Sequence, residues 1–123
     1  MNMTTSTRQV GGVTIVDISG RIVLGEEGSA LRELVCDLLS NGHNKILLNL
    51  GAVNYIDSSG LGHLVSALTR VRKQAGELKL LNLTIKVRDL MQITRLYTVF
   101  DIIDDEAAAV KSFAQSAAAA TST

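Results

Sequence analysis

The sequence predicts a single α/β domain in which a mixed sheet of four or five strands packs against about four helices. Three observations support this prediction. The length of 123 residues is that of one domain. Short apolar runs alternate with segments whose apolar residues recur at helical spacing. A glycine pair joins the first two candidate strands by a turn short enough for an antiparallel hairpin.

The N-terminal third is predicted to form that hairpin and then a helix. Strands over Thr4–Val10 and Val13–Ser19 flank Gly11-Gly12, whose glycines can adopt the positive φ values of tight turns. We expect a loop over Gly20–Gly28. The helix that follows should end at Asn41-Gly42, and its apolar face consists of Leu31, Leu34, Val35, Leu38 and Leu39.

The middle of the chain predicts a βαβ unit. Lys45–Leu50 is a short, almost continuous apolar run, which indicates a strand covered on both faces. After a loop over Gly51–Asp57, a second helix should end near Ala75-Gly76, and a strand should follow over Leu78–Leu83. Strand, helix and strand in this order imply two parallel strands joined by a right-handed crossover. The apolar face of the helix consists of Leu61, Leu64, Val65, Leu68 and Val71.

The C-terminal part should add two helices and one strand. Thr84 can cap a third helix, Val99–Ile103 suits a short strand, and Asp104-Asp105-Glu106 suits the N-terminus of an alanine-rich last helix. We expect the domain to span residues 1–116. Residues 117–123 contain no large side chain to anchor them, so they are predicted to be a disordered tail.

Composition argues against several functional classes. Lysine plus arginine equals aspartate plus glutamate, 12 of each, so no net basic charge attracts nucleic acid or an anionic membrane. The single Cys36 cannot form an intrachain disulfide and lies at no metal-ligand spacing from His43 or His63. We expect Cys36 to be a half-buried helix residue. No signal peptide or membrane span is evident, so a cytoplasmic protein with a protein partner and no cofactor is predicted.

The most informative segment lies between the central strand and the second helix, where open α/β sheets place their binding sites. Asp57-Ser58-Ser59-Gly60 puts an acid and two hydroxyls at the start of a helix. Gly60 and Gly62 carry little bulk, so we expect that a partner's backbone can approach closely. The simplest alternative is that the acid or the first hydroxyl is only an N-cap, contributing about 1 kcal/mol.

The wider segment Val53–Gly62, VNYIDSSGLG, closely resembles the signature of the STAS domain, the family of anti-sigma factor antagonists. The resemblance extends to Val13–Gly20 as the second strand and its turn, Lys45–Leu50 as the central strand and Gly76–Leu83 as the fourth strand. In total it covers roughly residues Val13–Ile103.

The resemblance implies a regulatory switch. In the family, an unphosphorylated antagonist binds an anti-sigma factor that is also a serine kinase, and the kinase phosphorylates the serine directly after the motif's aspartate. That serine is Ser58, and Asp57 is implied to orient the site. A separate phosphatase and ATP binding by the kinase are implied as well. The phosphosite loop and partner-binding residues would be Asp57, Ser59, Gly60, Leu61 and Gly62.

The chain also departs from the family pattern. Many antagonists carry two acids after the turn glycine, whereas this chain continues as Gly20-Arg21-Ile22-Val23-Leu24-Gly25, with Glu26 or Glu27 as possible replacements. Ile93–Leu96 lacks the frequent serine-glycine-leucine turn. Because family domains also occur in stressosome scaffolds and lipid-transport complexes, a scaffold subunit that is never phosphorylated is the alternative function.

The histidines and one basic cluster are the remaining candidates. His43 has no acid or nucleophile at a recognisable spacing, and no hydrolase elbow or phosphate-binding loop occurs, so an enzyme is not expected. His63 falls on the polar side of the second helix and is predicted to be an exposed surface residue. Arg70, Arg72 and Lys73 form a basic cluster that suits the helix C-terminus and would also suit an acidic partner.

Overall fold

A computed structural model describes residues 3–22 and 26–113 of the chain, without the side chains of residues 26–29. The predicted domain boundary at residue 116 and the predicted tail over 117–123 lie outside these ranges. The described part contains one five-stranded mixed sheet with helices on both faces, which confirms the predicted fold class.

The first two strands form the predicted hairpin. Strand β1 (Thr4–Val10) pairs antiparallel with β2 (Val13–Ile22), with Val10 opposite Val13 at the turn. Gly11 and Gly12 both have positive φ, 56° and 81°, which a type I′ turn requires of its two central residues.

The remaining strands run parallel. Strand β3 (Lys45–Ile56) pairs with β2 on one side and with β4 (Glu77–Leu81) on the other, and β4 pairs with β5 (Ile102–Ile103). The order of strands across the sheet is the order in which they occur along the chain.

The predicted loop over Gly51–Asp57 is largely wrong, and the one over Gly20–Gly28 is wrong at both ends, while its residues 23–25 lie outside the described ranges. Strands β2 and β3 both continue into these segments and pair with each other up to Ile22 and Ile56, with register shifts near Gly20. The shared ladder supplies hydrogen-bond partners to both backbones, which outweighs the low strand propensity of the glycines. Because of this pairing, the sheet extends to Ile56, directly before the predicted site at Asp57.

Four helices follow the expected order: α1 (Glu26–Ser40), α2 (Ser58–Lys73), α3 (Ile85–Thr94) and α4, described over 106–113. As predicted, Thr84 caps α3, and its hydroxyl accepts the Val87 N–H. Strand β5 is shorter than expected, because the 3₁₀ turn over Leu96–Thr98 is followed by Val99 and Phe100, whose N–H groups both donate to the Leu96 carbonyl. The turn begins after Arg95, which has φ 63°, in the left-handed region.

The helices divide between the two faces of the sheet. Helices α1, α2 and α3 cover one face, where they pack against Ile46 and Leu48 of β3. Helix α4 covers the other face, where Ala109 and Phe113 pack against Leu47. The Lys45–Leu50 part of strand β3 is therefore covered on both faces, as its apolar run predicts. None of the helices in the described ranges is both long and apolar enough to cross a membrane.

An ionic network joins α4 to the hairpin. The Arg8 guanidinium donates to Asp17 at 2.7 Å and to Glu106 at 2.6 Å and 2.9 Å. Asn49 on β3 adds a hydrogen bond to Asp17 at 2.8 Å. The hairpin, the central strand and the first residue of α4 are thus held together on one side of the sheet.

Candidate functional site

Asp57 forms the N-cap of α2, in the position that the sequence predicts. Its backbone is extended, with φ −110° and ψ −176°, and its Oδ1 accepts the Gly60 N–H at 2.8 Å. The Asp57 carbonyl accepts the Leu61 N–H at 2.9 Å, so the same residue also closes the first helical turn. The cap holds the four residues after β3 in one conformation.

Gly60 fulfils a different role from the expected one. A Cβ at this position would clash with the carbonyl oxygen of Ile22 and lie 2.7 Å from Cγ1 of Ile56. Gly60 is buried, so it lets the first turn of α2 pack onto the ends of β2 and β3, and the expectation that it leaves room for a partner is wrong. Gly62 is exposed, and a Cβ there would meet nothing within 4 Å.

Ser58 is the exposed hydroxyl of the segment. It is the first residue of α2, and its side chain forms no hydrogen bond with any other described residue. Ser59 is half-buried, and Leu61 is 2% exposed and packs into the core. The N–H groups of Ser58 and Ser59 have no acceptor within the helix, because only the third residue of the turn reaches the Asp57 cap. Partial positive charge therefore surrounds the Ser58 hydroxyl.

The neighbouring strand ends carry an aromatic ring and a cation. Tyr55 is 41% exposed, and the Arg21 guanidinium lies 4.9 Å from the centroid of its ring. The two residues are partners in the β2–β3 register. Arg21 stands where the family resemblance leads one to expect an acid, so this edge of the sheet carries a positive charge. Sequence reasoning missed the pair because it placed both residues in loops.

The structure also describes two other candidate residues, Cys36 and His63. Cys36 is half-buried on α1, as predicted. The prediction for His63 is wrong: the residue is half-buried, and its enclosed Nε2 atom has no hydrogen-bond partner in the part of the chain that the structure describes. The possible replacement acids, Glu26 and Glu27, have side chains outside the described part of the structure. Among the residues that are described, no group of three or more histidine, cysteine, aspartate or glutamate side chains could hold a metal.

Comparison with known protein families identifies the family of this chain. A family model for the STAS domain matches residues 4–109. The chain belongs to the STAS domain family. This match extends over β1 to α4, so the Ser58 segment and the helix on the opposite face are both parts of one STAS domain.

Individual relatives are similar over most of their length. The anti-sigma-B factor antagonist of Bacillus subtilis (strain 168) is 35% identical over 102 residues, which are 83% of this chain and 92% of that protein. The crystal structure of TM1081 from Thermotoga maritima superimposes with a TM-score of 0.81 at 27% identity, covering 89% of this chain and 93% of TM1081.

A third relative has been solved in two chemical states. SpoIIAA, an anti-sigma factor antagonist and Bacillus cell fate determinant, superimposes with a TM-score of 0.67 in its unphosphorylated form and 0.65 in its phosphorylated form. The two forms are 17% and 19% identical to this chain in the aligned parts. They cover 91% and 85% of this chain, and 98% and 96% of their own chains. At this identity the likeness establishes the shared fold.

Proposed function

We propose that this STAS domain is an anti-sigma factor antagonist that binds an anti-sigma factor with serine kinase activity and is switched off by phosphorylation of Ser58. The observation that carries the proposal is the Ser58 hydroxyl, exposed and without a hydrogen bond to any described residue at the start of α2. The identity of 35% to the Bacillus subtilis anti-sigma-B factor antagonist supports the choice of partner.

The geometry suits a phosphate at this position. A phosphoserine carries about −1.5 to −2 charge at neutral pH, and the free N–H groups at a helix N-terminus stabilise such an anion. The cap between Asp57 and Gly60 uses neither the Ser58 side chain nor its N–H. Phosphorylation should therefore leave the helix intact and change the charge of the surface that the partner contacts. The solved unphosphorylated and phosphorylated forms of SpoIIAA provide a precedent for both states of one fold.

In this proposal the exposed residues of the motif contact the partner, and the buried ones support the loop. Ser58 and Gly62 are exposed and would contact the anti-sigma factor, while Asp57 and Ser59 are half-buried beside them. The remaining two motif residues, Gly60 and Leu61, are buried and support the loop from within. The kinase partner would bind ATP, a separate phosphatase would remove the phosphate, and the exchange would take place in the cytoplasm without nucleic acid contacting this chain.

The test is phosphorylation by the anti-sigma kinases encoded in the same genome. The purified protein is incubated with each kinase and ATP, and intact mass and phosphopeptides are measured. We expect one phosphate on Ser58, and weaker binding of the modified protein to the kinase. Ser58→Ala should remain unmodified, whereas the matched control Ser59→Ala should still accept one phosphate. Modification of the Ser58→Ala variant at Ser59 would overturn the assignment.

One observation favours a second function. Arg21 lies at the end of β2 beside the site, where many antagonists carry an acid, and its guanidinium stacks on Tyr55. A scaffold subunit of a larger assembly, never phosphorylated, would not need that acid for kinase recognition. Tight binding to a partner from the same genome, without modification by any of the kinases, would establish this alternative.

A further inference from the structure

A small cleft separates α1 from α2, away from the loop that carries Ser58. Its volume is about 40 Å³. A single buried water needs roughly 10–15 Å³ on the same scale, so the cleft has room for a group of a few heavy atoms but not for a larger organic ligand. The residues that line it are Arg32, Val35, His63, Ser66, Ala67 and Arg70.

One of the side chains that line the cleft has a polar atom without a hydrogen-bond partner among the described residues. Val35 and Ala67 are buried and apolar, and the half-buried His63 ring lines the same cleft with an enclosed Nε2 atom that lacks a hydrogen-bond partner among the described residues. Enclosed polar atoms of folded proteins almost always have a partner, either in the protein or in a bound molecule. The Nε2 atom therefore indicates that a polar group enters the cleft.

The charge of the lining favours an anion. His63, Ser66 and Arg70 follow one another at helical spacing on a single face of α2, and Arg32 faces them from α1. The described residues that line the cleft include the Arg70 guanidinium and the Ser66 hydroxyl but no carboxylate. Arg70 forms no ion pair with any residue in the described ranges. Guanidinium groups bind planar carboxylates through paired hydrogen bonds.

The surroundings indicate that the carboxylate belongs to a longer chain. Arg70 also lines two shallower depressions, one between α1 and α2 and the other along α2. The first contains the polar residues Ser40 and Gln74 beside Cys36 and Leu39. The second contains Thr69 and Lys73, so polar side chains extend from the cleft in both directions and a further cation lies in one of them. A free small acid would use the cleft alone, whereas an acidic stretch of polypeptide would also contact these side chains.

We infer that the cleft between α1 and α2 anchors an aspartate or glutamate side chain from an acidic segment of a partner protein. The carboxylate accepts hydrogen bonds from Arg70, the Ser66 hydroxyl and, in the tautomer protonated at Nε2, from His63. The site uses neither Ser58 nor the loop around it, so it is a second interaction surface whose existence does not depend on the proposed phosphorylation.

The test uses two peptides of equal length, hexaglutamate and hexaglutamine, added to the full chain labelled with ¹⁵N. The His63 Nε2 resonance and the backbone amides of α1 and α2 are followed at constant ionic strength. We expect hexaglutamate to shift the Nε2 resonance in a saturable way and hexaglutamine to leave it unchanged. No shift with hexaglutamate would overturn the inference.

Variants then separate a specific site from general charge attraction. Arg70→Gln should weaken hexaglutamate binding about tenfold, the loss expected for a charged hydrogen bond. The control Lys86→Gln removes one exposed positive charge on α3, outside the cleft, and should change binding less than twofold. Equal weakening by both variants would mean that only net charge matters.

Two further measurements complete the test. Sodium acetate should shift the Nε2 resonance only at concentrations far above those of the peptide, and equal affinity for acetate would show a small-acid site rather than a docking surface. Ser58→Ala should bind hexaglutamate as the unmodified chain does. Loss of binding in that variant would contradict the independence of the two surfaces, whereas failed phosphorylation with normal peptide binding would overturn the proposed function alone.

Discussion

Gly60 and Gly62 differ in what an added side chain would meet. At Gly60 the backbone of β2 comes so close to α2 that any side chain would have to displace the Ile22 carbonyl. Gly62 faces open space on the same helix. The two glycines look equivalent in the sequence, and only the packing of the first helical turn on the strand ends distinguishes them.

The first prediction compares alanine at these two glycines. Gly60→Ala should lower the free energy of unfolding by about 1–3 kcal/mol or more, because a rigid backbone atom must move. Gly62→Ala should raise it by about 0.5–1 kcal/mol, because alanine loses less conformational freedom in a helix than glycine does. Urea unfolding followed by circular dichroism measures both. Equal effects in the two variants would show that α2 does not pack on Ile22 in this way.

The second prediction separates the two roles of Asp57. Asp57→Ala removes the acceptor for the Gly60 N–H and should cost about 0.5–2 kcal/mol of stability, while Asp57→Asn keeps a good N-cap and should cost little. If the carboxylate also orients the phosphosite, Asp57→Asn should slow phosphorylation of Ser58 despite its normal stability. Urea unfolding and a kinase time course check the two parts. Unchanged phosphorylation of Asp57→Asn would limit Asp57 to capping.

At the scale of elements, α4 is joined to the hairpin by the network around Arg8. Hydrogen bonds from the Arg8 guanidinium lower the pKa of Asp17 and of Glu106, and the same two carboxylates raise the pKa of Arg8. A carboxylate whose pKa is lowered by folding stabilises the folded state above its unfolded-state pKa. That contribution is lost as the pH falls through the folded-state value.

The third prediction follows from this direction of the pH dependence. The three side chains are about a third or more exposed, so Arg8→Gln should cost only about 0.2–1 kcal/mol at pH 7. The difference between the parent and Arg8→Gln should shrink as the pH falls below about 4, because the carboxylates of the unfolded chain are protonated first and those of the folded parent follow at lower pH. Urea unfolding at pH 7 and pH 3 measures this change. A difference that stays constant between the two pH values would exclude the carboxylates as its source.

Most helices and strands can be predicted from the sequence, but the points where strands end and helices begin cannot. Apolar spacing located the helices and the buried strand over Lys45–Leu50, and the cap at Asp57 was anticipated from the residue type. The extensions of β2 and β3 were missed because Gly20 and Gly51 suggest loops, whereas pairing between distant segments decides their structure. The enclosure of His63 likewise depends on how α1 lies against α2, and helical spacing on one helix cannot reveal that.

At the scale of the whole molecule, the balance of charge makes phosphorylation a large relative change. The chain has 12 basic and 12 acidic residues, so its formal net charge is zero. One phosphate would bring the net charge to about −1.5 to −2, concentrated at one edge of the sheet. The proposed switch would therefore act through the surface field and local repulsion rather than by unfolding the domain.

The fourth prediction tests that distinction. Protein phosphorylated on Ser58 should unfold within about 0.5 kcal/mol of the unmodified protein, the range usual for surface changes. Its affinity for the anti-sigma factor should fall much more, and the remaining affinity should depend on salt concentration. Urea unfolding and binding measurements on the same sample check both. A large loss of stability together with the loss of binding would mean that the phosphate disrupts the fold itself.

The strand order across the sheet also bears on how the chain reaches this fold. Because each strand lies beside the one that precedes it in the sequence, a growing polypeptide can add strands to one advancing edge as they leave the ribosome. No ladder that has already formed needs to open to admit a later strand. The hairpin, with its two-residue turn, is the shortest loop closure in the sheet and would provide the first template. Helix α4, made last, then closes the remaining apolar face.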